Sequence, residues 1–129
     1  MTTEPHAAPR IVILADDLIW ATRLADGVRR AGGVPVPVRS TTGLAAALAG
    51  VAGCVVDLTA RAYDGVGALG IAAAAGVSTI AVGQHDDADL RRDARIAGAT
   101  RVYAYRSLFE HGDRELGAWI AGLAAGREE

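Results

Sequence analysis

The sequence predicts an α/β protein whose doubly wound, five-stranded parallel sheet has the strand order 2-1-3-4-5 and carries helices on both faces. Two observations predict this fold. Five short apolar runs alternate with segments of helical periodicity at short connections, which is the pattern of consecutive βα units. The second run contains two prolines, and right-handed crossovers combined with an edge position for that strand lead to the stated order. A chain of 129 residues suits one domain.

The first two elements are predicted to be a buried strand and an amphipathic helix. Residues 11–15 (IVILA) form an apolar run without alternation, which is typical of a parallel strand covered on both faces. Asp16 and Asp17 follow this strand. From Leu18 apolar residues recur at helical spacing, and the glycine pair at 32–33 predicts the end of the helix.

The next two elements are predicted to be an edge strand and a short helix. Valine alternates with proline over residues 34–38, and two prolines interrupt the hydrogen bonds that a central strand needs. Ser40, Thr41 or Thr42 can accept a hydrogen bond as the N-cap of a short helix that ends near Gly50.

The rest of the chain repeats the same alternation. Strands are predicted over residues 53–57, 78–82 and 101–104. Helices are predicted over residues 66–75 and 114–125. A further helix is predicted to end at Gly98, with Asp86, Asp87 and Asp89 at its N-terminus, where negative charge is favourable.

Composition limits the location and the partners. Residues 10–125 are predicted to form the domain, with a flexible tail at 1–9 and a frayed end at 126–129. Arginine and lysine number 13 against 15 acidic residues, so the chain offers no bulk attraction to nucleic acid or to an anionic membrane. The first ten residues contain no apolar stretch long enough for a signal peptide or a membrane span, and the single Cys54 cannot form an internal disulfide. We therefore predict a cytoplasmic protein.

Three carboxylates are predicted to meet at one edge of the sheet. Strands one and three are neighbours in the predicted order, so Asp16, Asp17 and Asp57 follow carboxyl ends that lie side by side at the switch point. Asp17 alternatively suits the N-cap of the first helix. Converging carboxylates repel one another, and Mg²⁺ is the cation whose ligand preference they match. A carboxylate beside such an ion can attack a phosphoryl donor, and Asp57 is the predicted nucleophile.

These residues resemble the receiver domain of two-component response regulators, which has the flavodoxin-like fold of the chemotaxis receiver. The acidic pair at 16–17 falls where receivers hold magnesium, and Asp57 falls where they are phosphorylated, on a strand that ends in VVDL. The resemblance implies that Thr59 offers its backbone carbonyl to the metal. It also matches Asp64 and Gly65 to the Asp-Gly that closes the family's loop.

The sequence departs from the receiver pattern at the residues that make phosphorylation a switch. Ala60 and Arg61 stand where receivers usually carry Met-Pro. The threonine or serine at the end of strand four aligns with Gly83, and the lysine at the end of strand five aligns with Tyr105, or with Arg106 if the register slips by one. Arg61 or Arg106 could supply the positive charge instead. These departures resemble atypical receivers, also called pseudo-receivers.

Three functional hypotheses follow from the resemblance and the residues. The first is a stand-alone receiver-like signalling module of a phosphorelay, not an enzyme, in which Asp57 accepts a phosphoryl group with Mg²⁺ and the output is a protein contact. Its partner would be a histidine kinase or another protein, and homodimerisation is left open. The second is a pseudo-receiver that binds its partner without phosphorylation. The third is a flavodoxin-like domain that binds a small cofactor.

Overall fold

The computed structural model describes residues 8–84 and 87–128, except for the side chains of residues 109 and 124–128. The five strands are β1 Arg10–Leu14, β2 Val34–Val38, β3 Gly53–Asp57, β4 Ser78–Gly83 and β5 Arg101–Ala104. The five helices are α1 Leu18–Arg30, α2 Thr41–Ala47, α3 Gly65–Ala74, α4 Ala88–Ala97 and α5 Tyr105–Glu128. Asp86 and residues 1–7 of the predicted tail lie outside the described residues.

All five strands are parallel and lie in the order β2-β1-β3-β4-β5, which confirms the predicted fold. The proline-bearing β2 is at the edge of the sheet, where the backbone groups on its outer side need no partner strand. The register pairs Leu14 of β1 with Val56 of β3, so the carboxyl ends of these two central strands lie side by side. The predicted switch point is therefore present at this edge of the sheet.

Alternate residues of each central strand enter the apolar cores on opposite faces of the sheet, as the pleat requires. Val12, Leu14 and Val56 pack on one face against α2, α3 and α4, whose buried residues include Leu44, Leu69 and Ala94. The other core packs against α1 and α5, and its buried residues include Ile11, Ile13, Val55, Leu24, Val28, Leu116 and Ile120. Because β1, β3 and β4 are covered on both faces, their middle residues are apolar without alternation, apart from the buried Thr79 of β4.

Both ends of the domain extend beyond their predicted bounds. Pro9 was assigned to the tail, but it is buried and its carbonyl accepts a hydrogen bond of 2.8 Å from the Val34 N–H. The last helix was predicted to begin at residue 114 but begins at Tyr105, directly after β5. It continues to Glu128, so the residues 126–128 of the predicted frayed end have helical backbone, and residue 129 lies outside the described residues.

The early start of α5 was missed because its first two turns are not visibly amphipathic. Tyr105 and Leu108 are buried in the same core as Leu116, but polar and charged residues and Gly112 separate them in the sequence. In the structure Gly112 is buried against Leu108, where the small residue allows close packing. No helix within the described ranges is both long and apolar enough to cross a membrane.

Gly98 is the C-cap of α4 and occupies a position that residues with a side chain do not fit. Its φ is +124°, in the region that L-residues with a side chain rarely adopt, and a Cβ built there would lie 2.6 Å from the Cβ of Ala73 in α3. Gly70, within α3, differs on both counts, since it has helical backbone and nothing within 4 Å of an added Cβ.

We expect Gly98→Ala to lower the free energy of unfolding by about 1–3 kcal/mol, the cost of forcing a side chain into a strained backbone conformation. Gly70→Ala is the matched control and should raise it by about 0.5–1 kcal/mol, because alanine loses less entropy in a helix. Urea denaturation followed by circular dichroism measures both. Equal effects of the two substitutions would contradict the assignment of Gly98 as a conformationally required glycine.

Candidate functional site

The site lies at the carboxyl ends of β1 and β3, where the sequence placed its three carboxylates. Asp57 is the last residue of β3, and Asp16 and Asp17 follow β1 within the loop to α1. Because Leu14 and Val56 are partners in the sheet, the two loops leave the sheet next to each other. The parallel topology thus brings residues 16 and 57 to one edge of the molecule.

Asp57 is a buried carboxylate with one oxygen held by three donors. The residue is 1% exposed. Its Oδ1 accepts hydrogen bonds from the N–H of Thr59 at 2.9 Å, from the Thr59 hydroxyl at 2.8 Å and from the hydroxyl of Tyr105. Its Oδ2 accepts none from the described residues. The carboxylate is therefore fixed through one oxygen while the other remains available.

Tyr105 reaches Asp57 from the end of β5, which lies two strands away from β3 in the sheet. It is the first residue of α5, is 8% exposed and stacks on Trp20 of α1 with ring centroids 3.9 Å apart. Its hydroxyl also lies 2.5 Å from the Thr59 hydroxyl. Burial and then the hydrogen bond to Asp57 raise the pKa of Tyr105, so the phenol stays protonated and acts as a donor.

The two arginines proposed as substitutes for a lysine lie elsewhere. The Arg106 side chain is 88% exposed and its Nε donates to Glu110 at 3.1 Å, so at the end of strand five the residue in the site is Tyr105. Arg61 is exposed and contributes its backbone N–H, which donates to Asp16. Within the described residues, no cation forms an ion pair with Asp57.

Asp16 ties the loop after β1 to the loop after β3. Its Oδ2 accepts from the backbone N–H groups of Arg61 and Ala62, each at 3.2 Å. Its backbone carbonyl accepts from Arg39 Nη2 at 3.0 Å, which adds a contact from the end of β2. The two loops are thus held against each other at the entrance to the site.

Asp17 serves as the N-cap of α1. Its Oδ1 accepts from the N–H groups of Ile19 at 2.8 Å and Trp20 at 3.0 Å, two of the donors that a helix start leaves unpaired. The capping role that the sequence offered for Asp17 is therefore present. Asp64 does the same for α3, where its Oδ1 accepts from the Gly67 N–H at 3.1 Å.

Tyr63 is a site residue that the sequence did not single out. Its hydroxyl contacts the carbonyls of Leu14 at 3.0 Å and of Asp57 at 2.7 Å, so it joins the ends of β1 and β3. Burial, and after it the charges of Asp57 and Asp16, raise the pKa of Tyr63. A lone aromatic residue in an otherwise small and polar loop is the signal that could have identified it.

Gly83 ends β4 on the other side of Asp57 and brings no hydroxyl to the site. A Cβ at Gly83 would lie 3.5 Å from Leu58, an ordinary van der Waals distance. The position therefore has room for a small side chain. The backbone of this region is already paired, since the Leu58 N–H donates to the Val82 carbonyl at 2.8 Å.

Two of the three predicted carboxylate ligands, those of Asp16 and Asp57, have an oxygen that accepts no hydrogen bond from the described residues. The described ranges contain no group of three or more His, Cys, Asp or Glu residues spaced to hold a metal ion. Mg²⁺ commonly takes only one or two protein carboxylates and keeps several waters. Asp57 Oδ2 and Asp16 Oδ1 accept no hydrogen bond from the described residues, whereas Asp17 is engaged by α1. The predicted metal set of Asp16, Asp17, Asp57 and Thr59 stays a prediction.

We expect Tyr63→Phe to lower the free energy of unfolding by about 1–2 kcal/mol, because two carbonyls at the ends of central strands lose a donor. Tyr103→Phe is the matched control, since the Tyr103 hydroxyl contacts Glu115 at 3.3 Å, away from the strand ends. Urea denaturation of the two variants measures the difference. A larger loss in Tyr103→Phe would contradict the bridging role of Tyr63.

The raised pKa values of the three tyrosines lead us to expect a loss of stability at alkaline pH. Burial raises the pKa of Tyr63, Tyr103 and Tyr105 in the folded chain. Above the ordinary tyrosine pKa of about 10 the unfolded chain releases protons that the folded chain retains, so the free energy of unfolding falls as pH rises through the raised values. Urea midpoints measured from pH 8 to 11 should decline above about pH 10, and less steeply in Tyr63→Phe.

Comparison with known proteins identifies solved structures of the same fold. No family model and no curated protein sequence matches the chain. The receiver domain of a sensor histidine kinase from Pseudomonas aeruginosa, described with a magnesium ion coordinated in the active site cleft, has a TM-score of 0.75. The two sequences are 19% identical, and the match covers 89% of this chain and 99% of that one.

Two further receiver structures match to a similar extent. A CheY-like receiver domain protein from Methanospirillum hungatei has a TM-score of 0.69 at 18% identity and covers 85% of this chain and 94% of its own. A response regulator receiver domain protein from Clostridium thermocellum has a TM-score of 0.76 at 13% identity, with coverage of 93% and 97%. The chain therefore has the flavodoxin-like fold of response regulator receiver domains over most of its length.

Proposed function

We propose that this chain is a receiver-like signalling module of the two-component type, in which Asp57 accepts a phosphoryl group in a Mg²⁺-dependent reaction. The observation that carries the proposal is the buried Asp57 carboxylate at the end of β3, whose Oδ1 is held by hydrogen bonds and whose Oδ2 accepts none from the described residues. The fold, and the magnesium ion described in the cleft of the Pseudomonas receiver, support it. The output would be a protein–protein contact, and the partner would be a histidine kinase or another protein.

The chain's own residues would prepare Asp57 for this reaction. The N–H of Thr59 and its hydroxyl hold Oδ1, so Oδ2 is the oxygen that can attack phosphorus. An oxygen–phosphorus bond forms at Asp57. The bond from phosphorus to the donor's leaving atom, an oxygen in an acyl phosphate or an imidazole nitrogen in a phosphohistidine, breaks, and that atom departs with the electron pair. Asp16 and Asp57 would hold the Mg²⁺, which neutralises charge on the transferred group.

A second candidate is a pseudo-receiver that binds its partner without phosphorylation. Two observations favour it. Gly83 offers no hydroxyl to a phosphoryl oxygen, and within the described residues no cation pairs with Asp57. In this case the site would be structural, and the Tyr105 hydroxyl would satisfy the Asp57 carboxylate in place of a charged partner.

We expect an acyl phosphate with Mg²⁺ to add one phosphoryl group to the wild-type chain and none to Asp57→Asn, which lacks the nucleophilic carboxylate. Intact-mass spectrometry measures the adduct. Asp64→Asn is the matched control, because Asp64 caps α3 and asparagine caps helices equally well. It should be modified like the wild type, and chelation of Mg²⁺ should abolish modification of both.

An unmodified wild-type chain, under conditions that modify an ordinary receiver, would contradict phosphoryl acceptance and favour the second candidate. Modification that persists in Asp57→Asn would show that another residue is the acceptor.

A further inference from the structure

Tyr105 connects two parts of the molecule that the proposed function leaves separate. Its hydroxyl donates to Asp57 at the edge of the sheet. Its ring stacks on Trp20 in α1, with centroids 3.9 Å apart and planes inclined by 36°. Arg23 lies over the Trp20 ring, with its Cζ 5.6 Å from the centroid. A side chain that touches Asp57 is thus packed directly against the α1 surface.

The rings of Tyr105 and Trp20 line a cleft of about 250 Å³ between α1 and α5. Apolar side chains form much of its wall, and these are Leu24, Leu108 and Leu116. An ion pair spans the two helices, since Arg30 Nε lies 3.0 Å from Asp113 Oδ1, with both side chains exposed. The position of Tyr105 therefore affects the packing between α1 and α5.

The other contacts of the Asp57 carboxylate are local. The remaining donors to Oδ1 both belong to Thr59, two residues away. Gly83 at the end of β4 has no side chain to respond to a group added at Asp57. Among the described residues, the long-range hydrogen bond to this carboxylate is the one from Tyr105. If modification of the Asp57 carboxylate alters distant parts of the fold through a side-chain contact, that contact is the one with Tyr105.

We propose that Tyr105 is a positioning residue that restrains the Asp57 carboxylate through Oδ1, weakens the binding of Mg²⁺ at Oδ2, and transmits a change at the carboxylate to Trp20 and the α1–α5 cleft. This inference rests on the proposed function of Asp57. A hydroxyl that donates to a carboxylate stabilises its negative charge and lowers its availability to a cation or an electrophile. When Mg²⁺ or the phosphoryl group takes up Oδ2, negative charge is drawn away from Oδ1, the hydrogen bond from the Tyr105 hydroxyl weakens, and the ring is free to shift against Trp20.

The test compares Tyr105→Phe with Tyr103→Phe, both in a Trp119→Phe background in which Trp20 is the remaining tryptophan. Tyr105→Phe removes one hydroxyl and retains the ring that stacks on Trp20. Tyr103 is the matched control because its hydroxyl contacts Glu115. Mg²⁺ binding is followed by calorimetry and Trp20 fluorescence, phosphoryl acceptance by intact mass, and folding by thermal denaturation.

We expect Tyr105→Phe to bind Mg²⁺ and to accept the phosphoryl group about tenfold more readily, the equivalent of one hydrogen bond to a charged group. Trp20 emission should change on Mg²⁺ binding in the parent and in Tyr103→Phe. It should change much less in Tyr105→Phe, where there is no hydroxyl to release.

The outcomes separate this inference from the proposed function. Unchanged Mg²⁺ affinity and an unchanged Trp20 response in folded Tyr105→Phe would overturn the role of Tyr105, even if Asp57 is phosphorylated. Tighter Mg²⁺ binding in Tyr105→Phe without phosphorylation of either chain would support Tyr105 and overturn phosphoryl acceptance. A failure of both chains to bind Mg²⁺ would overturn both.

Discussion

The site depends on the burial of one carboxylate at the end of a central strand. Asp57 is 1% exposed, and a buried charge is costly unless hydrogen bonds replace the water that it loses. Three donors meet one of its oxygens, two from Thr59 and one from Tyr105. The loop after β3 and the first turn of α5 are thus positioned by the same carboxylate. Tyr105, which makes this contact, is the first residue of α5 and directly follows β5.

The surrounding contacts hold the two loops at this edge of the sheet in one arrangement. Asp16 accepts from two backbone N–H groups of the loop after β3, and Tyr63 joins the carbonyl ends of β1 and β3. Asp17 is used for the start of α1. Neighbouring aspartates at 16 and 17 therefore have different roles. One ties the loops together beside Asp57, and the other starts the helix that carries Trp20.

The fold persists in receivers that share less than a fifth of their residues with this chain, because it depends on apolar runs that alternate with amphipathic helices and on the strand order. The chemistry depends on a few side chains at the strand ends, and here they depart from the receiver pattern. A lysine beside a phosphoryl group supplies a charge, whereas Tyr105 supplies a neutral donor to the carboxylate itself. Such an exchange changes the electrostatics of the site without disturbing the sheet.

The sequence by itself determined the five strands, their order and the edge where Asp16, Asp17 and Asp57 lie, because apolar runs and prolines act through the local backbone and fix which strand can be central. Only the tertiary structure decided which side chains meet there. Tyr105 and not Arg106 enters the site, Tyr63 joins two strands and Asp17 caps a helix. The physical reason is that the contacts of Tyr105 with Asp57 and of Tyr63 with Leu14 join residues more than 40 positions apart and depend on how the loops and helices pack on the finished sheet. For Asp17, the structure decided between two local roles.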